Sequence, residues 1–373
     1  VVAKVLPTRG DKGIGGIKLV GHKLKILLLY DLACEPDNRP GHERWFMTGD
    51  EFRDERHVIK ALRRNGHLVE PFGIHDDLGI LLKKIKNMRP DCVFNLCESF
   101  QSRREHEAGV MSLLKMLGIP YTGASAEALN LCKDKALSKK VVAFHGVTIP
   151  KFAVIPAPGL HPGRSNAAEL PGMNLASVPW PAICKPLDRD SSEGISRASV
   201  VRNLKTCKTH INRLQKKFAS GVIVEEFIHG RELYLGILEV PGKRGLQVFP
   251  PRELYTGTGP GFVTWKSKWD EDYRRKHGID SGRAHKLDTK TLIRLDEVAR
   301  GSYAALGLSG YARLDLRLRP DGEPVFIEAN PNPSIRRGDD YAAAASAAGI
   351  SYDRLIEMII RTAMESAPAR RIA

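Results

Sequence analysis

The chain is predicted to be α/β in its first part and α+β towards its C-terminal part. Two observations carry this. From residue 25 to residue 117, short apolar runs alternate with helical patterns, the rhythm of an open parallel sheet with helices on its faces. After residue 221, strand-like runs follow one another over connections too short for a parallel crossover, so those strands pair antiparallel.

In chain order, Lys25–Tyr30 is a continuous apolar run suited to a strand buried on both faces. Phe52–Asn65 reads as an amphipathic helix stopped by Gly66, and Leu68–Phe72 as the next strand. Leu78–Lys86 is helical, Asp91–Leu96 a third strand, and Glu105–Leu117 a helix closed by Gly118. Ligands of such sheets sit beyond the carboxyl ends of the strands, which makes Asn95 and Glu98 candidates for substrate contact. Ala124–Lys140 is read as one helix with Ser125 at its N-cap; its lysines 133, 135, 139 and 140 read mostly as solvated face charges. The aperiodic Pro/Gly/Asn tract Pro156–Pro181 is a surface insertion.

Ala182–Lys185 is a strand ending on a lysine, followed by a Ser/Gly loop through Ile195. Such a loop offers N–H groups and hydroxyls to phosphate oxygens while the lysine supplies a point charge. Ser199–Phe218 is a helix, Gly221–Ile228 a strand, and Glu232–Val240 with Gly245–Val248 continue a sheet. Tyr255–Gly282 has no clear period and is expected to be a lid-like loop; Thr289–Leu306 is a helix. Asp340–Ala348 and Tyr352–Glu365 close the chain as helices. The expected organisation is a basic extension over residues 1–22, an N-terminal α/β unit over 23–122, a central unit over 123–220 and a C-terminal unit over 221–373.

At 373 residues, with 42% hydrophobic and 27% charged residues, the composition is that of a soluble globular protein. No apolar run reaches membrane-spanning length, and residues 1–22 lack the apolar centre of a secretion signal. The six cysteines show no metal-ligand spacing, which fits buried thiols in a reducing cytoplasm. The net charge of +15 is spread along the chain without a recognised nucleic-acid module, so it fits anionic small molecules, and neither nucleic acid nor membrane is expected as a partner.

The segment 311–330 carries the chemistry. Tyr311–Leu318 alternates like a half-buried strand, Arg319–Glu323 makes a polar turn, and Pro324–Asn330 returns. Alternation puts Arg313 and Asp315 on one face of the first strand, and Glu328 and Asn330 on one face of the second. Pairing would gather a guanidinium, two carboxylates and an amide, a hard oxygen set suited to Mg²⁺ with phosphates. The same residues on a solvated surface hairpin are the bland alternative.

The order of parts resembles the ATP-grasp superfamily and, within it, the D-alanine–D-alanine ligase family, over about residues 24–365. The resemblance rests on Lys135, on Lys185 with Ser191, Ser192 and Gly194, on Glu225 with the later Glu232, on Arg313-x-Asp315 and on Glu328-x-Asn330. It implies an N-terminal open-sheet domain followed by two subdomains that clasp ATP. Lys135 and Lys185 would hold phosphates, with Ser191, Ser192 and Gly194 in the loop closing over them. Glu225, Glu226, Phe227 and Ile228 would line the adenine pocket, and Glu232 would bind the ribose. Asp315, Glu328 and Asn330 would ligate two Mg²⁺ ions, or Mn²⁺ in their place. Arg313 would face the reacting centre, Ser192 would assist there, and Lys268 would reach the γ-phosphate. A homodimer follows from family analogy alone.

The amino-acid side departs from the family pattern. The family's early Gly-Gly-x-Ser-x-Glu stretch is replaced by Asp31–Asp37, and its His-Gly-x-x-Gly-Glu-Asp-Gly loop by Leu96–Arg103. Asp339 stands near the serine that holds the second substrate's carboxylate, with Arg336 and Arg337 as compensating cations. The expected activity is therefore a carboxylate–amine ligase acting on amino acids, peptides or related compounds, with two D-alanines not assured. Another ATP-grasp enzyme (a peptide-modifying ligase or a kinase-like phosphoryl transferase) and a non-catalytic basic binding protein stay open as alternatives.

Overall fold

The computed structural model describes residues 23–32, 46, 48, 49, 52–159, 174–189, 192–242, 245–259 and 261–366. The basic extension 1–22, most of the 156–181 tract and Ser191 lie outside the described residues.

The first unit is a parallel sheet in the order β2-β1-β3, formed by β1 (Lys25–Asp31), β2 (Leu68–Ile74) and β3 (Cys92–Asn95). Helices α1 (Arg53–Arg64), α2 (Leu78–Met88) and α3 (Glu107–Met116) connect and flank it. Both faces of β1 are buried, as its unbroken apolar run requires. Leu27 and Leu29 enter one core with Leu81 and Met111, while Ile26 and Leu28 enter another with Leu62 and Ile356.

The expected helix over 124–140 is two helices, α4 (Ala126–Lys133) and α5 (Lys135–Phe144). Asp134 breaks the run, because its carboxylate accepts hydrogen bonds from Ala136 N and Leu137 N and so caps a fresh helix. Ser125 caps α4 through Ala128 N, as expected.

The central sheet has the order β4-β7-β5-β6, from β4 (Phe152–Ile155), β5 (Ala182–Pro186), β6 (Val200–Val201) and β7 (Val222–Glu226), with α6 (Leu204–Phe218) packed on it. The strand after residue 221, expected in the C-terminal unit, is thus an inner strand of the central sheet. Lys185↔Ile223 and Val154↔Ile223 fix its register on its two sides.

The C-terminal sheet runs β11-β10-β8-β12-β13 with β9 on the other part of β8. It contains β8 (Arg231–Glu239), β9 (Leu246–Val248), β10 (Arg252–Tyr255), β11 (Asp280–Arg283), β12 (Tyr311–Leu318) and β13 (Pro324–Asn330). Tyr255–Gly282, expected to be irregular, contains α7 (Trp265–Trp269), α8 (Glu271–His277) and most of β11. These elements are too short and too exposed to show a helical or alternating period. Helix α9 (Thr289–Ala305) covers one face of the sheet with α4 and α5, and α10 (Asp340–Ala347) and α11 (Tyr352–Ser366) follow. Leu233, Leu235 and Ile237 of β8 and Ala312 and Leu314 of β12 point into that core. The alternate residues Glu232, Tyr234, Arg313 and Asp315 are left for the opposite face, where a cleft opens towards the central sheet.

Candidate active site

The cleft lies between the central and C-terminal sheets, with α7 over it. Its apolar part is made by Ile183, Phe227, Ile228, Phe262 and Leu316. Phe227 and Phe262 meet edge to face at 5.6 Å, and the Arg317 guanidinium lies 5.7 Å from the Phe227 ring. A flat apolar slot next to an extended backbone segment accepts a planar ring. The other part is densely charged, with Lys135, Lys185, Lys268 and Arg313 facing Glu225, Asp315 and Glu328.

Glu225 organises the cations. Its Oε1 lies 2.8 Å from Lys139 Nζ and its Oε2 lies 2.6 Å from Lys185 Nζ. Burial opposes ionisation of Glu225, but the two ammonium groups outweigh it and hold its pKa down at about 2. Burial lowers the pKa of Lys139, whereas contact with Glu225 raises that of Lys185 against the same burial. Lys139 also donates to Ile327 O at 2.6 Å, and Lys135 Nζ donates to Arg189 O. Lys139, one of the four lysines expected to be mostly solvated, is 1% exposed. Its spacing of four from Lys135 puts both on one helix face, and that was the available signal.

The acids come from the hairpin, whose register pairs Asp315 with Glu328 and Arg313 with Asn330. A bulge after Asp315 shifts the ladder there. Arg313 grips Asp315 through two hydrogen bonds of 2.7 and 2.9 Å, and its guanidinium stacks 4.9 Å over Tyr234. Burial and the neighbouring Glu328 push the Asp315 carboxyl up in spite of Arg313. Burial acts the same way on Glu328, but Lys135, Lys185, Lys139 and Lys268 together draw it down. Nδ2 of Asn330 is buried without a hydrogen-bond partner. Turning that amide over would put its oxygen there instead, which gives a third hard donor beside two carboxylates and fits Mg²⁺.

Glu232 faces the cleft and is engaged by Arg317 at 3.0 Å, Val263 N at 3.3 Å and Tyr234 Oη at 3.3 Å. Arg317, which no motif in the sequence singles out, is buried and also donates to Ile228 O. Glu226 takes Arg319 at 3.2 Å and Lys151 N at 3.3 Å. Ser192 lines the cleft with a left-handed backbone, φ +61°. Gly194 follows at φ +79°, where an added Cβ would sit 2.8 Å from both Phe218 and Pro186, so this turn requires glycine. Lys268 reaches the cleft from α7; burial and Arg313 lower its pKa while Glu328 and Asp315 oppose the shift.

The residues expected on the amino-acid side are not among those lining this cleft, although the charge of Glu98 acts on Lys268. Glu98 lies off the cleft lining, where its carboxylate takes Arg104 at 3.0 Å and its N–H donates to Asp31. Asn95 is buried and accepts from Cys97 N. Arg336 pairs with Asp54 at 3.2 Å, and Arg337 lies 5.9 Å from the Tyr352 ring. Asp339 accepts from Ser334 at 2.7 Å. Asp340 also lines the cleft, bridged to Arg252 at 3.0 Å, with Arg274 and Ser281 nearby in the lining. Helix α10 begins there, with Asp339 at its N-cap and Asp340 as its first residue.

Comparison with known proteins gives a consistent picture. The family described as D-ala D-ala ligase C-terminus matches residues 141–361, more than half of the chain. An uncharacterized protein y4sG of Sinorhizobium fredii is 29% identical over 82% of this chain and 86% of its own length. A D-alanine–D-alanine ligase of Aquifex aeolicus is 29% identical over 81% of this chain and 92% of its own. The crystal structure of a D-alanine–D-alanine ligase from Bacillus anthracis complexed with ATP superposes with a TM-score of 0.67 at 21% identity, over 92% of this chain and 98% of that one. At that identity the match bears on the fold, and it is an ATP-grasp fold.

Proposed function

The chain belongs to the D-alanine–D-alanine ligase family, and from that premise we propose that it is an ATP-dependent ligase joining the carboxylate of an amino acid or related compound to an amine through an acyl phosphate. The observation that carries this is one cleft in which the Lys135 and Lys185 ammonium groups meet the Asp315 and Glu328 carboxylates below an apolar slot.

Amide formation needs a better leaving group than oxide, and phosphoryl transfer to the carboxylate supplies it. The protein's work is then positioning and charge neutralisation. The slot at Phe227 and Ile228 takes the base, with Glu225 behind the phosphate-side lysines, and Glu232 takes the ribose hydroxyls. Lys135, Lys185 and Lys268 draw phosphate oxygens, and the turn at Ser192 supplies donors beside them. Asp315, Glu328 and Asn330 would hold Mg²⁺, which when bound adds positive charge at the transferring phosphoryl group. Arg313 is clamped by Asp315 and stacked on Tyr234, so it meets a developing oxyanion with little reorganisation. The lid element α7 keeps water from the intermediate.

The acceptor end is lined by Asp340, Arg274 and Ser281, an acid balanced by a cation. We therefore leave both substrates open within the amino-acid and peptide class, with a cytoplasmic setting and a homodimer carried by family analogy. The test is an ADP-release screen over amino acids and dipeptides with mass detection. A product equal to both substrates less one water supports the ligase; a stable phosphorylated product would turn the reading to a kinase-like transferase. ADP release with neither outcome, or no nucleotide binding, would overturn it.

A further inference from the structure

Behind the phosphate-side loop lies a second cavity of about 800 Å³, walled by residues 193–197, by helix α6 and by the lid elements α7 and α8. Phe218, Trp265 and Tyr273 give it rings, and Arg197, Arg213, Lys217 and Lys266 stand around it against Glu193, the one carboxylate among its described lining residues. The Lys217 ammonium is held 4.8 Å from the Phe218 ring and that of Lys266 6.0 Å from Tyr273.

One lining group points to a ligand independently of this charge. His210 is 7% exposed, and its Nε2 has no hydrogen-bond partner. Buried polar atoms are partnered as a rule, and an orphan is costly, so a ring nitrogen left unmatched beside a cavity gains from a ligand atom that reaches it. Burial and the nearby Arg213 push the His210 pKa down, which leaves a neutral ring that either donates or accepts.

We propose that this cavity is a regulatory site for a small aromatic anion, a ring bearing a phosphate, sulfonate or carboxylate, whose binding ties the phosphate-side loop to the lid and tightens nucleotide binding. Mostly apolar walls with a few convergent polar groups are what such a ligand needs. The coupling follows from shared parts. Ser192 and Ile195 of the loop, and Ser267 and Lys268 of the lid, line the first cleft, while their neighbours line the second. A hydrogen bond from Trp265 N to Ile195 O at 3.1 Å already joins the two elements. A ligand touching both favours the arrangement in which both are docked, and linkage makes the effect reciprocal. The coupling rests on the nucleotide reading above; the site itself does not.

The test titrates the full chain with 1-anilinonaphthalene-8-sulfonate, followed by fluorescence, with and without a non-hydrolysable ATP analogue and Mg²⁺. The expected result is saturable binding of one probe per chain, tightened about fivefold or more by the nucleotide. Inorganic phosphate at the same concentration should not displace the probe. The double variant Arg213→Glu/Lys217→Glu, at two exposed positions, should weaken the probe about tenfold or more while leaving melting temperature and probe-free nucleotide affinity unchanged. Wild-type probe binding by that variant overturns the site. Displacement by phosphate alone overturns the ring requirement. Probe affinity indifferent to a nucleotide that demonstrably binds overturns the coupling. Failure of the nucleotide to bind counts against the ligase reading, and the variant comparison still decides the site.

Discussion

Glu225 satisfies two buried lysines at once, and its removal takes from both the carboxylate they are bonded to. Breaking a buried ion pair in this way costs about 3–5 kcal/mol, so Glu225→Gln is expected to be strongly destabilised in urea unfolding. The pH dependence has a definite sign. A carboxyl whose folded pKa is about 2 against an ordinary 4.5 binds fewer protons when folded. It therefore adds stability above about 4.5 and gives it up as the pH falls towards 2. The advantage of the wild type over Glu225→Gln should shrink across that window, and a constant difference would contradict the assignment. On the acidic side, Asp315→Asn should lower ADP release by about 100-fold or more without unfolding the chain, since it removes charge where the phosphoryl group moves. The Asp315 and Glu328 pairing was legible in the sequence because alternation in a hairpin is a local rule. Lys139 and Arg317 were not, since their partners, Glu225 and Glu232, lie 86 and 85 residues away in sequence.

Among the elements, the lid depends on a cap. Thr264 accepts from Ser267 N while Ser267 Oγ accepts from Thr264 N, a reciprocal pair that starts the five-residue helix α7. Loss of such a cap costs about 1 kcal/mol locally. Thr264→Ala should accordingly raise the KM for nucleotide severalfold with little change in global melting, whereas equal losses in both would mean that the segment is part of the core. Thr264-x-x-Ser267 and Asp270-x-x-Tyr273 were the signals that helices begin here, even though the segment has no period. The long elements were easier to read. The strands of the hairpin occupy the expected residues, 311–318 and 324–330, because turn chemistry and alternation agree.

At the level of the whole molecule, the division into units was only partly legible. Helices α4 and α5 were expected with the central sheet but pack into the core beneath the C-terminal one, and β7 joined the central sheet instead of the C-terminal one. Pairing partners of this kind are non-local, and periodicity states which face is buried, not against what. The resulting two-sided cleft predicts a ligand effect on stability. Nucleotide with Mg²⁺ at about 100 times its Kd should add about 2.7 kcal/mol to unfolding. Chelation with EDTA should remove most of that gain, as read by thermal melting, and a metal-independent gain would count against Asp315, Glu328 and Asn330 as ligands.

The Lys139–Glu225–Lys185 cluster also limits how the molecule breathes. Glu225 and Lys185 belong to the central sheet, while Lys139 is fastened to β13 through the Ile327 carbonyl. The two layers are therefore riveted along the rear wall, and parting them there would strip the buried Lys139 ammonium of its carboxylate. Traffic of small molecules has to pass at the front, by swinging the segment around Trp265 aside, so the turnover rate should track that gate and not the spreading of the layers.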